Sequence, residues 1–274
     1  MTKDHSMKDD RLSAIRHYLF EKTSASIHEI AEAVGASLPT VRRDLLTLET
    51  EGAIHRTHGG ARIADSAGIE AAFEVREQTC IAAKRAIGLA AYEELQPDMS
   101  VFLDAGTTVL QVARRIRMNP LPISVFTNCL AVAQVLTDIR DVQVTLLGGR
   151  LRSRNASVLG ALAESMLERL WFDQLFLGAS TVGDDGCTYT MDEDEARLNE
   201  KMITRAARTT VLADASKFGP RATYKVTPLD ERLDLITDDS LTPQWLDKLA
   251  RAGCRTRTVS LDADEATELD GDAA

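Results

Sequence analysis

The sequence of 274 residues lacks several features that would place it in a class at once. Its four cysteines lie about 50 to 70 residues apart, without a CxxC pair or a neighbouring histidine, which argues against disulfides and metal binding. No run of about 18 apolar residues is present, so we expect no membrane span, and the first ten residues show no signal-peptide pattern. We therefore expect a cytoplasmic protein with reduced thiols, no metal and no cofactor.

An excess of positive charge is also missing, because the formal net charge is -10. Residues 1–62 hold nine basic and nine acidic residues and all five histidines, whereas the remainder holds 23 basic and 33 acidic residues. Residues 258–274 hold six acidic residues and no basic one, and we expect them to form a disordered tail. The neutral N-terminal part can still bind a polyanion, because a local basic patch matters more than net charge.

The first sixty residues show the spacing of three short helices. Apolar residues recur at helical intervals and predict a first helix from about residue 10 to residue 21. Ser26, with a glutamate three residues later, forms a capping box for a second helix that Gly35 ends. Ser37 is placed to cap a third helix that tolerates Pro39 in its first turn. This order indicates a helix-turn-helix.

The third helix has two different faces. Val41, Leu45 and Leu48 cluster on one side and should pack inward. Arg43 then faces outward, with Arg42 on its flank, and such a face suits the major groove of DNA. An ordinary amphipathic helix with a solvated charged face is the alternative.

The residues that follow favour the DNA-binding interpretation. Residues 53–56 predict a short strand, and Gly59-Gly60 predicts a turn with Arg56 and two histidines at its tip. Such a wing can reach backbone phosphates or a minor groove. We therefore predict a winged helix-turn-helix domain at residues 8–63 that binds double-stranded DNA. Its candidate contact residues are Ser37, Pro39, Thr40, Arg42, Arg43, Thr47, His55, Arg56, His58, Gly59 and Gly60.

After a weakly patterned segment at residues 64–80, which we interpret as a linker, strands and helices alternate over residues 81–257. Apolar strands separated by helices indicate a parallel sheet covered on both faces. The fold class is therefore α/β, with the winged helix followed by a larger parallel α/β domain. Six strands are predicted, near residues 100–104, 123–128, 142–149, 173–180, 209–218 and 233–239.

Polar residues recur where these strands end, which is the edge at which α/β sheets bind ligands. Gly106, Thr107 and Thr108 open a helix whose N–H groups and hydroxyls can hold a phosphate. Lys217 can neutralise that phosphate, and Asp104 can accept hydroxyl groups. For any one of these residues a plain helix cap is the alternative. The candidate ligand-binding residues are Asp104, Gly106, Thr107, Thr108, Thr127, Asn128, Gly148, Gly149 and Lys217.

Two sets of motifs resemble one family. "TVRRDL" at residues 40–45 and "RTHGG" at residues 56–60 resemble the recognition helix and wing of the DeoR family of bacterial sugar-operon regulators. "FLDAGTT", "VFTN", "LLGG", "FDQLFLGAS" and "VLADASKF" resemble the effector domain of that family, in the same order. The resemblance implies a domain related to the ribose-5-phosphate isomerase and CoA-transferase folds that senses a phosphorylated sugar. It also implies a repressor that this sugar phosphate releases from its operator.

One position departs from the family pattern. Many members carry a lysine four residues after a glutamate ahead of the "SKF" strand, whereas here Asn199 follows Glu195 at that spacing. The alternative for these two residues is an i,i+4 surface pair without a role in binding.

Two other functions are possible from the residues alone. A sugar-phosphate isomerase-type enzyme with an attached DNA-binding module would need a general base, for which Asp104, Asp214, Glu195 or Lys217 could serve. No spacing forces these groups into a catalytic arrangement, so we expect a regulator without catalytic residues. A domain that only dimerises would leave the polar strand ends unexplained. DNA half-sites about one turn apart favour a homo-oligomer, either a dimer or a tetramer.

Overall fold

The computed structural model describes residues 3–22, 24–50, 54–57, 59–63, 73–152 and 155–261. The chain divides into two compact units, residues 1–71 and residues 72–274. Within the described residues, none of the helices combines the length and the apolar character that a membrane crossing requires.

The N-terminal unit has the predicted order of three helices and a wing. Its elements are α1 (Lys3–Lys22), β1 (Ser24–Ser26), α2 (Ile27–Ala33), α3 (Leu38–Thr50), β2 (Ile54–Thr57) and β3 (Gly60–Ile63). Strand β3 lies at the centre of a small sheet and pairs antiparallel with β1 and with β2. The winged helix-turn-helix architecture is therefore confirmed.

Local sequence explains where these helices begin and end. The capping box is present, because Ser26 Oγ accepts from Glu29 N at 3.3 Å and Glu29 Oε2 accepts from Ser26 N at 2.7 Å. Gly35 follows α2 with φ of +61°, a conformation that glycine adopts without strain. Helix α1 begins at Lys3, earlier than predicted, because the apolar spacing marks only the half of the helix that packs. The core residues are Leu12, Ile15, Leu19, Ile30, Val41, Leu45, Leu48, Ile54 and Ala61.

A buried carboxylate joins the recognition helix to α1. Asp44 is only 1% exposed, and its Oδ2 accepts a hydrogen bond from Arg11 Nε at 2.6 Å. Asp44 faces inward on α3 together with Val41 and Leu45. This residue of the "TVRRDL" motif therefore serves the fold. A carboxylate withdrawn from water needs such a partner.

We expect Asp44→Ala to loosen α3 by leaving Arg11 without its buried partner. Breaking a fully buried ion pair costs about 3–5 kcal/mol, and the partial exposure of Arg11 should bring the loss nearer to about 2 kcal/mol. Hydrogen exchange of the α3 amides in the full-length protein measures this loss, with Glu32→Ala on the exposed side of α2 as the control. Wild-type exchange rates in the Asp44 variant would show that the pair contributes no stability.

The second unit contains the larger sheet and its helices. Its helices are α4 (Phe73–Gln78), α5 (Ile81–Tyr92), α6 (Thr107–Met118), α7 (Leu130–Leu136), α8 (Ala161–Leu167), α9 (Glu193–Ile203) and α10 (Pro243–Arg251). Its strands are β4 (Ser100–Leu103), β5 (Ile123–Thr127), β6 (Val142–Leu146), β7 (Arg150–Arg152), β8 (Ser157–Leu159), β9 (Phe172–Gly178), β10 (Thr181–Gly183), β11 (Cys187–Thr190), β12 (Ala206–Leu212), β13 (Phe218–Gly219), β14 (Tyr224–Pro228), β15 (Asp234–Asp238) and β16 (Arg255–Val259).

Seven of these strands form a wholly parallel sheet in the order β16-β15-β12-β9-β4-β5-β6. Alternate strand residues face opposite sides, so Leu103 packs with α5, α6 and α7 while Phe102 packs with α8, α9 and α10. The predicted parallel sheet with helices on both faces is confirmed. A smaller sheet, β13-β10-β11-β14, and the β7–β8 hairpin complete the unit.

The first and last elements of this unit differ from the sequence prediction, and the strands of the smaller sheet and of the β7–β8 hairpin were not predicted. Helix α4 falls within the segment that we interpreted as a linker. Strand β16 was not predicted, because its residues Arg-Thr-Arg-Thr-Val lack the apolar run of an inner strand, and it extends two residues into the expected tail. Residues 262–274, most of that tail, lie outside the described residues.

Candidate functional sites

Helix α3 presents its arginines on an exposed face. Pro39, Arg42 and Arg43 are exposed, as predicted, whereas Val41, Leu45 and Leu48 are buried. Thr47 Oγ1 donates to the carbonyl of Arg43 at 3.2 Å, and Ser37 Oγ accepts from Thr40 N at 3.4 Å. These hydroxyls are thus engaged within the helix, so the guanidinium groups are the long polar groups that the face presents.

The wing differs from its prediction in the position of Arg56. This residue lies in strand β2 opposite Ala61, not at the tip, because the strand continues to Thr57. Arg56 Nε donates to Glu49 Oε2 at 2.7 Å, and Arg56 N donates to Glu49 Oε1 at 3.2 Å. Glu49, in the last turn of α3, therefore holds strand β2 of the wing through Arg56.

The two predicted turn glycines have different surroundings. Gly59 lies in the turn, whereas Gly60 is the first residue of β3, where a Cβ would lie 2.1 Å from the carbonyl oxygen of Ala25. Gly60 is therefore required by the close approach of β1. His55 lies in strand β2, and His58 lies outside the described residues.

A pocket lies at the carboxyl ends of the two central strands of the large sheet. Along the chain, β4, β5 and β6 follow one another toward one edge, and β9, β12, β15 and β16 follow one another toward the other. The strand order therefore reverses between β4 and β9, which is where open α/β sheets bind ligands. Five predicted residues line this pocket, namely Asp104, Gly106, Thr107, Thr108 and Lys217. The other lining residues are Arg76, Ala105, Gly178, Ala179, Ser180 and Glu195.

Two glycines form the floor of the pocket. A Cβ on Gly178 would lie 3.2 Å from Gly106 Cα and 3.3 Å from Asp104 Oδ2, so a side chain there would crowd the floor. Gly106 also precedes α6 as its N-cap and offers no side-chain acceptor. The first N–H groups of α6 have no intrahelical acceptor, and they favour an anion together with the helix dipole.

Asp104 is a buried carboxyl group at the base of this pocket. It is 4% exposed, its Oδ2 accepts from Gly178 N at 3.0 Å, and the side chain of Asn128 also hydrogen-bonds to it. Burial raises the pKa of Asp104 to about 6, although the hydrogen bonds from Ala105, Gly178 and Asn128 act in the opposite direction. The group can therefore change between hydrogen-bond donor and acceptor close to neutral pH.

Four predicted ligand-binding residues, Thr127, Asn128, Gly148 and Gly149, do not line the pocket. Asn128 contacts the lining residue Asp104, and the other three have structural surroundings. Thr127 Oγ1 donates to the Leu103 carbonyl at 2.6 Å and accepts from Cys129 N at 3.0 Å, which joins β5 to β4. Gly149 has φ of +149°, and a Cβ there would lie 2.7 Å from the carbonyl oxygen of Leu159. Gly148 N donates to the sulfur of Met166 on α8 at 3.1 Å. These residues were predicted because they follow strands, but their strands lie away from the reversal.

Three cationic side chains lie at or beneath the pocket. Arg76 and Lys217 line it. Lys84 is 1% exposed, and its Nζ donates to the carbonyls of Arg76 and Thr79, the latter at 2.6 Å. Burial lowers the pKa of Lys84, and so does the positive charge of Lys217, while Asp214 acts in the opposite direction. Three basic side chains thus lie close to the carboxyl groups of Asp104, Glu195 and Asp214.

Glu195 and Asn199 are not a surface pair. Glu195 lines the pocket, and its Oε2 accepts from Thr190 Oγ1 at 2.7 Å and from Arg152 Nη1 at 3.1 Å. Asn199 is 4% exposed, and its Oδ1 is buried without a hydrogen-bond partner within the described residues. Lys201, the nearest lysine in sequence, instead pairs with Glu168 at 3.0 Å.

Sequence reasoning missed some of these residues for identifiable reasons. Arg76 and Lys84 lie outside the strand ends, and no local pattern marks either as part of a site. Ser180 lies two residues after the end of strand β9, so the strand-end signal that selected Asp104 could also have selected it.

A winged helix-turn-helix joined to a doubly wound α/β domain with a polar pocket defines a DNA-binding transcription regulator with its own sensor domain. Family models match both parts, the DeoR-like helix-turn-helix domain at residues 11–67 and the DeoR C-terminal sensor domain at residues 79–239. The chain belongs to the DeoR family.

Similar proteins agree with this assignment. The HTH-type transcriptional regulator GlpR of Haloferax volcanii is 37% identical, covering 89% of this chain and 95% of that regulator. The putative aga operon transcriptional repressor of Escherichia coli O157:H7 is 35% identical over 89% of this chain and 91% of its own. The HTH-type transcriptional repressor GlcR of Bacillus subtilis is 32% identical over 90% and 94%. The chain is thus a transcription regulator, and the enzyme alternative is not supported.

Among solved structures, ribose 5-phosphate isomerase A from Methanocaldococcus jannaschii aligns with a TM-score of 0.36 and 16% identity. The alignment covers 49% of this chain and 53% of that enzyme. The likeness is distant and extends over only half of each chain.

The raised pKa of Asp104 predicts a pH-dependent stability. The folded protein holds the proton of Asp104 more tightly than the unfolded chain does. This proton therefore adds to the free energy of unfolding below about pH 4, and its contribution is lost as pH rises through about 6. Asp104→Asn stays neutral, so it should be more stable than wild type above about pH 7, by up to about 3 kcal/mol, and the gain should shrink toward about pH 4.5.

Urea unfolding at several pH values, followed by the fluorescence of Trp171 and Trp245, measures this difference. Asp247→Asn, which removes an exposed carboxylate from α10, is the control. A gain in stability that is the same at every pH would contradict a titrating Asp104.

Proposed function

We propose that this regulator represses an operon for the catabolism of a sugar or sugar derivative, and that a phosphorylated sugar releases it from its operator. The main support is that the α6 N-terminus, Arg76 and Lys217 converge on one pocket at the reversal of strand order. Each of these groups favours an anion, and together they suit a phosphate dianion. The names of two relatives as repressors support the direction of regulation.

The pocket divides into an anion-binding end and a hydroxyl-binding end. Thr107 and Thr108 at the start of α6, with Arg76 and Lys217, hold the phosphate. Asp104 accepts from or donates to a sugar hydroxyl, depending on its protonation. Glu195 adds a second carboxylate to the lining, and Thr190 and Arg152 hold it in place.

DNA recognition is assigned to α3 and the wing. Arg43 lies on the outward face of the helix and contacts a base edge in the major groove. Arg42 lies toward the wing, in a cleft with Arg56 and Gly59, and contacts phosphate. Such a regulator acts where its operator lies, so we place it in the cytoplasm, and two half-sites favour a dimer or tetramer.

The two arginines should therefore give different phenotypes. Arg43→Ala should weaken operator binding by about 1–3 kcal/mol and relax specificity at one base position. Arg42→Ala should weaken binding to all sequences about equally and reduce the salt dependence, because a phosphate contact carries no sequence information. Gel-shift titrations against the operator and single-base variants distinguish these results. Unchanged operator affinity in both variants would remove α3 from the DNA interface.

Lys217→Ala should separate ligand response from DNA binding. It deletes one charge-assisted contact, worth about 1.5–3 kcal/mol of ligand affinity, while the winged helix is unaffected. A thermal-shift screen of phosphorylated sugars on the wild-type protein first identifies the ligand. The variant should then bind its operator normally but need more ligand for release, whereas Lys225→Ala, an exposed lysine on β14, should behave as wild type. Release of the Lys217 variant at the wild-type ligand concentration would exclude this lysine from the site.

A further inference from the structure

Helix α4 is attached to the pocket through both its side chains and its backbone. The side chain of Arg76, in the middle of α4, lines the pocket. The carbonyl of Arg76 accepts from Lys84 Nζ and from Thr107 Oγ1, the latter at 3.5 Å. Lys84 Nζ also donates to the carbonyl of Thr79, just beyond the helix. A buried ammonium group therefore caps the C-terminal end of α4, where cations are favoured.

Two contacts anchor α4: the first is the one from Lys84, and the second lies outside the pocket. Glu77 forms an ion pair with Arg114 on α6, and Arg114 also donates to Gln111 Oε1 at 3.4 Å. Helix α4 is thus held by α5 through Lys84 and by α6 through Arg114. Both α4 and the N-terminus of α6 contribute to the same pocket.

The order of α4 must depend on these contacts. An isolated helix of six residues is unstable in water, so tertiary contacts have to maintain it. Arg76, Lys84 and Lys217 place three positive charges close together. Burial and then the charge of Lys217 lower the pKa of Lys84, while Asp214 raises it and so offsets part of the repulsion. Like charges at short range repel one another, and an anion among them removes that repulsion. An occupied pocket therefore favours the arrangement in which Arg76 and α4 are in place.

Helix α4 is also the first described element of the second unit, and the chain leads from it back to the wing strand β3. We propose that Arg76 binds the anionic ligand and that α4, ordered by this contact, is the element through which occupancy of the pocket alters the DNA-binding unit. This inference rests on the proposed anion site. It assigns the regulation of that site to a helix that also carries one of its binding residues.

Hydrogen exchange of the full-length protein, with inorganic phosphate as the probe and sodium chloride at matched ionic strength as the reference, tests the inference. At a phosphate concentration about ten times its apparent Kd, segments whose opening requires release of phosphate should exchange about tenfold more slowly. We expect this slowing at residues 104–111, which include the lining residues Asp104 to Thr108, and also at residues 73–80. Slowing at residues 104–111 alone would overturn the role of α4 and leave the anion site intact. No slowing in either segment would overturn both.

Variants separate the two anchors of α4. Arg76→Ala should abolish the response of residues 73–80 while residues 104–111 still respond at higher phosphate, and Arg76→Lys should restore part of it. Arg114→Met removes the ion pair outside the pocket, so residues 73–80 should exchange faster without phosphate, and the apparent phosphate affinity should fall because binding must then also order α4. Arg85→Met, which removes an exposed arginine from α5, should leave both responses unchanged. A wild-type response of residues 73–80 in Arg76→Ala would show that Arg76 does not couple the ligand to α4.

Discussion

The reversal of strand order between β4 and β9 is the constraint on which the second unit depends. Connections that leave these neighbouring strands run to opposite sides of the sheet, so a gap opens above their carboxyl ends. Gly106 and Gly178 approach each other closely at the bottom of this gap, where a side chain on either glycine would crowd it. The same geometry directs the start of α6 into the gap. The pocket is therefore a consequence of topology before any particular side chain is considered.

Electrostatics then determine what this gap can hold. The chain is acidic overall, yet Arg76, Lys84 and Lys217 meet around the start of a helix, whose dipole adds positive potential. Burying Lys84 carries a desolvation penalty, which the two carbonyl acceptors from Arg76 and Thr79 offset. Asp104 carries less negative charge near neutral pH than an exposed carboxyl group would, because burial raises its pKa. A dianion in this pocket therefore meets the cations together with two carboxyl groups, Glu195 and the buried Asp104.

The sequence predicted the architecture well because helical spacing and apolar runs are both local signals. Helical spacing identified α2 and α3, and apolar runs identified six of the seven parallel strands, but β16 carries alternating arginines and was missed. The pocket was only partly predictable, since the strand-end rule treats every strand alike. It selected Asp104 and Thr107, which line the pocket, and it also selected Thr127 and Gly149, which belong to β5 and to the turn after β6. Strand order decides between these cases, and strand order is a long-range property that no local pattern contains.

In the motifs that resemble the DeoR family, residues that stabilise the fold lie next to residues that are assigned to function. In "TVRRDL", Arg42 and Arg43 are exposed, whereas Asp44 turns inward and pairs with Arg11. In the wing, Arg56 is held by Glu49, and Gly60 is needed for the passage of β1. Helical rotation of about 100° per residue explains the first case, because neighbours in sequence must point to different surroundings. A substitution within such a motif can therefore abolish DNA binding by two routes, and only a stability measurement on the same variant separates a lost contact from a loosened helix.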